Sequence, residues 1–315
     1  MNKKICICTL AALALMSCSS SGDDEQQVAP PAKRPLIVVV NENPFVDENG
    51  NAQAPMRQGT RGSAITTESL TDFKMYSSDT YYKLEKKDGQ WKSDPDRWPS
   101  SVTNDQDITF YAYNVGHDKD NNLNKFYPGD EVSPEPYISF TVPENASTQT
   151  DLLVAKTTTS YNAHQGQVSL TFDHACAAVN FTVAISPKLY AKLGNSNLTV
   201  KSIILENIIM KGDYSFSNGW TLENATENNT TLYTLTTAET TSVGTAEQPL
   251  LNGTNLFLIP QTLGSGAQFT ITYTLAGDTE SKTTSIPLAG ETWQAGYQYT
   301  MSIYLGTANI PLKTQ

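Results

Sequence analysis

At 315 residues, with 38% hydrophobic and 17% charged side chains, the chain is long enough for two buried cores and too apolar to be disordered. A formal charge of −11 sets it against phosphate backbones and excludes nucleic acid as a partner class. Helix formers are scarce while Thr, Tyr, Val, Asn and Ser abound, which points to an all-β fold.

The N-terminus reads as a signal peptide: Lys3 and Lys4, an apolar run over 5–15, then Leu15-Met16-Ser17-Cys18. The run is too short to span a membrane. A small residue before Cys at the end of such a run resembles a bacterial lipobox, although Met16 departs from the usual residue there. The resemblance implies that residues 1–17 are removed and that Cys18 is acylated. Cys6 and Cys8 fall in the apolar run, so Cys176 alone remains in the folded body and no intramolecular disulfide is available there. Residues 18–34, rich in Ser, acidic residues, Gln and Pro, form a tether.

PLIVVVN at 35–41 reads as a strand apolar on both faces, followed by a long polar loop carrying Arg57 and Arg61. That layout would let a trypsin-like protease detach the strand, but the residues alone favour an ordinary first strand and its loop. Strands are expected at 73–76, 81–85, 108–113, 137–142 and 152–155. The densest apolar stretch, VSLTFDHACAAVNFTVAI at 168–185, alternates with period two on either side of Asp173-His174 and reads as the seam between two halves. Pro187 opens a single helical turn. Strands then follow at 198–210, 214–216, 231–235, 255–259, 269–275, 283–288 and 298–305. Short strands at this spacing predict β-sandwiches, with domains at 35–180 and 181–315.

Several fragments, in order, resemble the fimbrillin family, the Mfa-like and fimbrillin-A-like subunits of Bacteroides-type (type V) fimbriae. They are Trp98-Pro99 before ITFYAY, YISFTVP with DLLVA, FDHACAAVNFTV, LFLIPQTL and ETWQAGYQYTMSIYL. The acidic pair Asp23-Asp24 is similar to the surface-export tag of such lipoproteins. The resemblance implies two tandem transthyretin-like β-sandwich domains and lipoprotein export. It also implies cleavage after an arginine, Arg61 or Arg57, that frees the first strand, Leu36, Ile37, Val38, Val39 and Val40. A strand from a neighbouring subunit would then fill the groove. The short tail at 306–315, interrupted by Pro311, offers little as a donor, so a tip or accessory subunit is expected. The implied place is the outer membrane surface and the fimbrium. The implied partners are other fimbrial subunits, surface glycans or proteins, and the membrane through the lipid before processing. The alternative is a monomeric surface lipoprotein carrying a carbohydrate-binding module, for which Trp91 is the aromatic to test.

No catalytic residue, metal site or cofactor is expected. His174 and Cys176 have the types of a thiol site but lie in a packing stretch without an orienting third group in sequence. His117 and His164 lack metal-ligand spacing. The run at 118–129 begins like a calcium loop, yet Leu123 and Gly129 stand where Gly and Glu are needed.

Overall fold

A computed structural model of the protein describes residues 34–53, 65–114, 124–130, 135–143, 148–223, 233–235, 241–251 and 254–310. They form an essentially all-β fold. The first half builds β1 (Ile37–Glu42), β2 (Asp72–Ser77), β3 (Thr80–Lys87), β4 (Gln90–Asp94), β5 (Ile108–Asn114), β6 (Lys125–Tyr127), β7 (Tyr137–Thr141), β8 (Leu153–Thr159), a helical turn α1 (Tyr161–His164) and β9 (Gln167–His174). Seven of these strands make one sheet in the order β1-β9-β8-β5-β2-β3-β4, in which β1 and β9 run parallel.

Local chemistry explains the pieces. In β9 every second residue (Val168, Leu170, Phe172, His174) is buried and its neighbours are exposed, the pleat of a strand with one wet face. Asp88 and Gly89, with φ of 52° and 74°, make the two-residue turn that folds β4 back on β3. The sheet curls until its edges meet at one end. There Pro35 bridges Arg97, the Leu36 N–H donates to the Asp96 carbonyl at 3.2 Å, and the Trp98 N–H donates to the Arg34 carbonyl at 2.8 Å. The nearly closed barrel encloses Phe73, Met75, Leu84, Trp98, Phe110, Leu170 and Phe172.

The second half builds β10 (Ala177–Ile185), a helical turn α2 (Pro187–Lys192), β11 (Leu198–Glu206), β12 (Lys211–Ser215), β13 (Gly219–Leu222), β14 (Tyr233–Leu235), β15 (Thr241–Val243), β16 (Gln248–Pro249), β17 (Leu256–Leu258), β18 (Gln261–Thr262), β19 (Gln268–Thr274), β20 (Lys282–Pro287), β21 (Thr292–Trp293) and β22 (Gln298–Leu305). β10 is buried along both faces except at Thr182, pairing with β16 and β17 antiparallel and with β22 in parallel. β11 pairs with β14, β15 and β19. Phe181 of β10 stacks on Phe269 of β19 at 4.6 Å, so the two sheets face each other across a second buried cluster. Ser186 caps α2 by accepting the Leu189 N–H, with Pro187 at its first turn.

The two halves share a sheet. β7 pairs antiparallel with β12, flanked by β6 and β13, and the Trp220 indole N–H donates to the Ala175 carbonyl at 2.7 Å. The stretch at 168–185 breaks at Ala175 and Cys176, and its two strands, β9 and β10, belong to different sheets.

Candidate strand-exchange groove

β1 is β-branched and ends before Asn43-Pro44, where proline removes a ladder donor. Its start is pinned by Arg34, whose guanidinium donates to the Val102 carbonyl (2.8 Å), the Pro99 carbonyl (2.5 Å) and Asn104 Oδ1 (3.0 Å). Val38 lies opposite Val168, Val40 opposite Leu170 and Glu42 opposite Phe172. Leu36 and Val38 point into the barrel core with Val40 packed beside them, while Ile37 and Val39 are 50% and 38% exposed. The strand, apolar on both sides in sequence, is thus buried on one side only.

The parallel ladder also fixes the backbone. The Ile37 N–H goes to the Gly166 carbonyl at 3.0 Å and the Asn43 N–H to the Phe172 carbonyl at 2.8 Å. Odd-numbered residues therefore face β9, and Val38 and Val40 turn their N–H groups to the other edge. On that side a cleft of ≈ 940 Å³ separates β1 from β4, lined in part by Ile37, Val39, Lys86, Trp91 and Lys92. Trp91 is half-buried, with its ring edge-on to Phe73 at 4.9 Å and under the Lys86 ammonium at 5.8 Å.

Past β1 the segment keeps its hold. The Glu42 carboxylate accepts the Thr67 N–H, and burial raises its pKa. Phe45, 3% exposed, enters the second cluster and lies on the His174 ring at 3.8 Å and 20°. Val46 donates to the Gly296 carbonyl (3.0 Å) and accepts from the N–H of Gln298 (2.8 Å), the first residue of β22. Full burial of an aliphatic or aromatic side chain contributes about 1.5–3 kcal/mol. Leu36, Val38, Val40 and Phe45 together are therefore a large share of the roughly 5–15 kcal/mol that holds a domain folded.

Of the residues singled out in the sequence, Cys18, Arg57, Arg61, His117 and the first half of the run at 118–129 lie outside the described residues. His164 is exposed at the end of α1. Cys176 is fully buried between β9 and β10, where burial pushes its thiol pKa well above the ordinary value, so it is a packing residue. His174 has a partner that sequence reading did not supply: its Nδ1 lies 2.5 Å from Asp151 Oδ2, with both side chains buried. Burial works against the charged imidazole, yet the Asp151 carboxylate, with Glu42 and Asp173, raises its pKa overall. Phe45 was also missed. The only trace of it in the sequence is the triplet Pro44-Phe45-Val46, apolar within a polar loop.

A family model described as Fimbrillin-like matches residues 58–314. The chain belongs to the fimbrillin-like family. Its family match starts after Arg57, so β1 and Phe45 precede it. Among solved structures, a cell adhesion candidate from Bacteroides ovatus is similar to this fimbrillin-like chain with a TM-score of 0.52 and 14% identity, over 88% of this chain and 94% of that one. Another, from Parabacteroides distasonis, has a TM-score of 0.48 and 8% identity, over 89% and 92%. At 14% identity the first likeness is one of fold alone. Among curated proteins none matches. Membership in the fimbrillin-like family makes the protein structural rather than enzymatic.

Proposed function

We propose that this protein is a fimbrial subunit or fimbria-associated adhesin that is exported as a lipoprotein acylated on Cys18. It is carried to the outer membrane surface, cut after Arg61 or Arg57, and assembled with other subunits by exchange of the strand at 36–40. Residues 35–180 and 181–315 are read as two tandem transthyretin-like sandwiches; two separate buried clusters favour a division, although the second also takes in Phe45, Ile138 and Phe140 from the first stretch. The observation that carries the proposal is the seating of β1. It is an edge strand whose inward residues fill a core, and the chain joining it to β2 contains both arginines. A barrel emptied of that strand exposes the β9 ladder and an apolar trough, which another chain can complete by adding a strand. The burial that folds the subunit would then drive its assembly.

Limited trypsin treatment followed by gel filtration and N-terminal sequencing tests this. The expected result is a new terminus at Gln58 or Gly62 and a shift to larger species. An intact terminus, a single monomer peak and binding to a glycan array would overturn it in favour of a monomeric carbohydrate-binding lipoprotein.

A further inference from the structure

The segment ahead of the arginines fills two places. Leu36, Val38 and Val40 occupy the barrel, and nine positions after Leu36 the same segment delivers Phe45 to the other buried cluster. What Phe45 covers there is polar. Its ring lies over the His174 imidazole, and beneath it Asp151 Oδ2 holds His174 Nδ1 at 2.5 Å. The second carboxylate oxygen, Asp151 Oδ1, is buried without a hydrogen-bond partner. A polar pair kept dry in this way depends on its roof, because water reaching it would compete for both groups.

We infer that the pocket over His174 and Asp151 is the specificity-determining subsite of the groove, and that it takes an aromatic side chain from the incoming strand of another polypeptide. The inference rests on the strand-exchange reading above. The register on the page defines the partner. It is an extended segment running parallel to β9, with branched apolar residues at a first position and at the second and fourth beyond it, and an aromatic ring nine beyond it. A flat ring covers the imidazole face and keeps the stacking that an aliphatic side chain lacks. Alternating apolar residues alone would satisfy the barrel and leave the pair open to water. Many strands share that alternation, so the ring is what distinguishes a fitting donor.

The test uses the trypsin-nicked full chain, freed of its own N-terminal segment by gel filtration in mild denaturant and returned to buffer, and fluorescent peptides spanning residues 34–53, with binding followed by polarisation. The unaltered peptide and its Phe45→Trp form are expected to bind, and Phe45→Ala to bind about a hundredfold more weakly. The His174 ring nitrogens, observed by NMR, are expected to shift their titration on adding the unaltered peptide but not the Phe45→Ala peptide. Equal binding of the unaltered and Phe45→Ala peptides, or an unmoved His174 titration, overturns the aromatic subsite while leaving strand exchange intact. Failure of the unaltered peptide to bind overturns strand exchange itself, and the subsite with it.

Discussion

His174 reaches the interior because β9 alternates without a break, so the residue two beyond Phe172 turns inward whatever its polarity. Once there it is tolerable only with Asp151 beside it, and the pair makes stability depend on pH. The folded protein holds the His174 proton more tightly than the unfolded chain, where the ordinary value is 6.5. The contribution is therefore complete below about pH 6.5 and is lost as pH rises through the raised folded value. Melting temperature is expected to decline across that window, and His174→Gln to melt lower but without the decline. An unchanged slope in the variant would mean that another group is responsible. Glu42, also raised by burial, works in the same sense but from about pH 4.5 upward, which separates the two in a titration. The inward place of His174 was legible in the alternation, but Asp151 was not. It sits 23 positions away, and only the pairing of β8 with β9, Leu153 opposite His174, brings it near.

Among the elements, legibility followed one-sided burial. β9 and β19 alternate cleanly and stand where the sequence put them, whereas β4 (QWKSD), with Trp91 its one apolar residue, owes its existence to the turn at Asp88-Gly89. Two-residue strands such as β16 and β18 carry no period at all; their partners define them. β11 stops at Glu206, short of the expected 210, because Asn207 adopts a φ of 57°. β1 was legible as a strand, but its dependence on Gly166 was not. That glycine, at a φ of 85°, lies under the start of β1, where an added Cβ would meet the Pro35 carbonyl at 2.3 Å. Gly166→Ala is expected to cost about 1–3 kcal/mol through the strained dihedral and to push β1 off its edge. Faster loss of β1 after trypsin nicking, measured by mass spectrometry, checks it. Unchanged release would show that the barrel grips β1 elsewhere.

At the scale of the whole molecule, the two buried clusters are bound by β8, whose Leu153 and Ala155 enter one and Val154 the other, and by a segment that sends Leu36 into one and Phe45 into the other. Trp98 belongs to the first cluster and Trp293 to the second, so single-tryptophan variants report each separately. In the uncut chain both are expected to unfold at one denaturant concentration, and to part once the nicked segment is lost. Two midpoints before nicking would mean that the ties are too weak to make the clusters cooperate. The sequence suggested two halves and gave no sign of the sheet formed by β7 and β12. β7 and β12 are ordinary short strands with about seventy residues between them, and nothing in either specifies the other.

The parallel alignment of β1 with β9 has a directional outcome. A replacement that keeps the same inward side chains must travel the same way along β9, since reversing it would change both ladder and register. Contacts repeated with one sense from copy to copy are not two-fold pairs; they would make a ring where the rotation between copies closes and an open line where it does not. An open line of that kind would have an arrow, with an empty trough at one end and a free strand at the other.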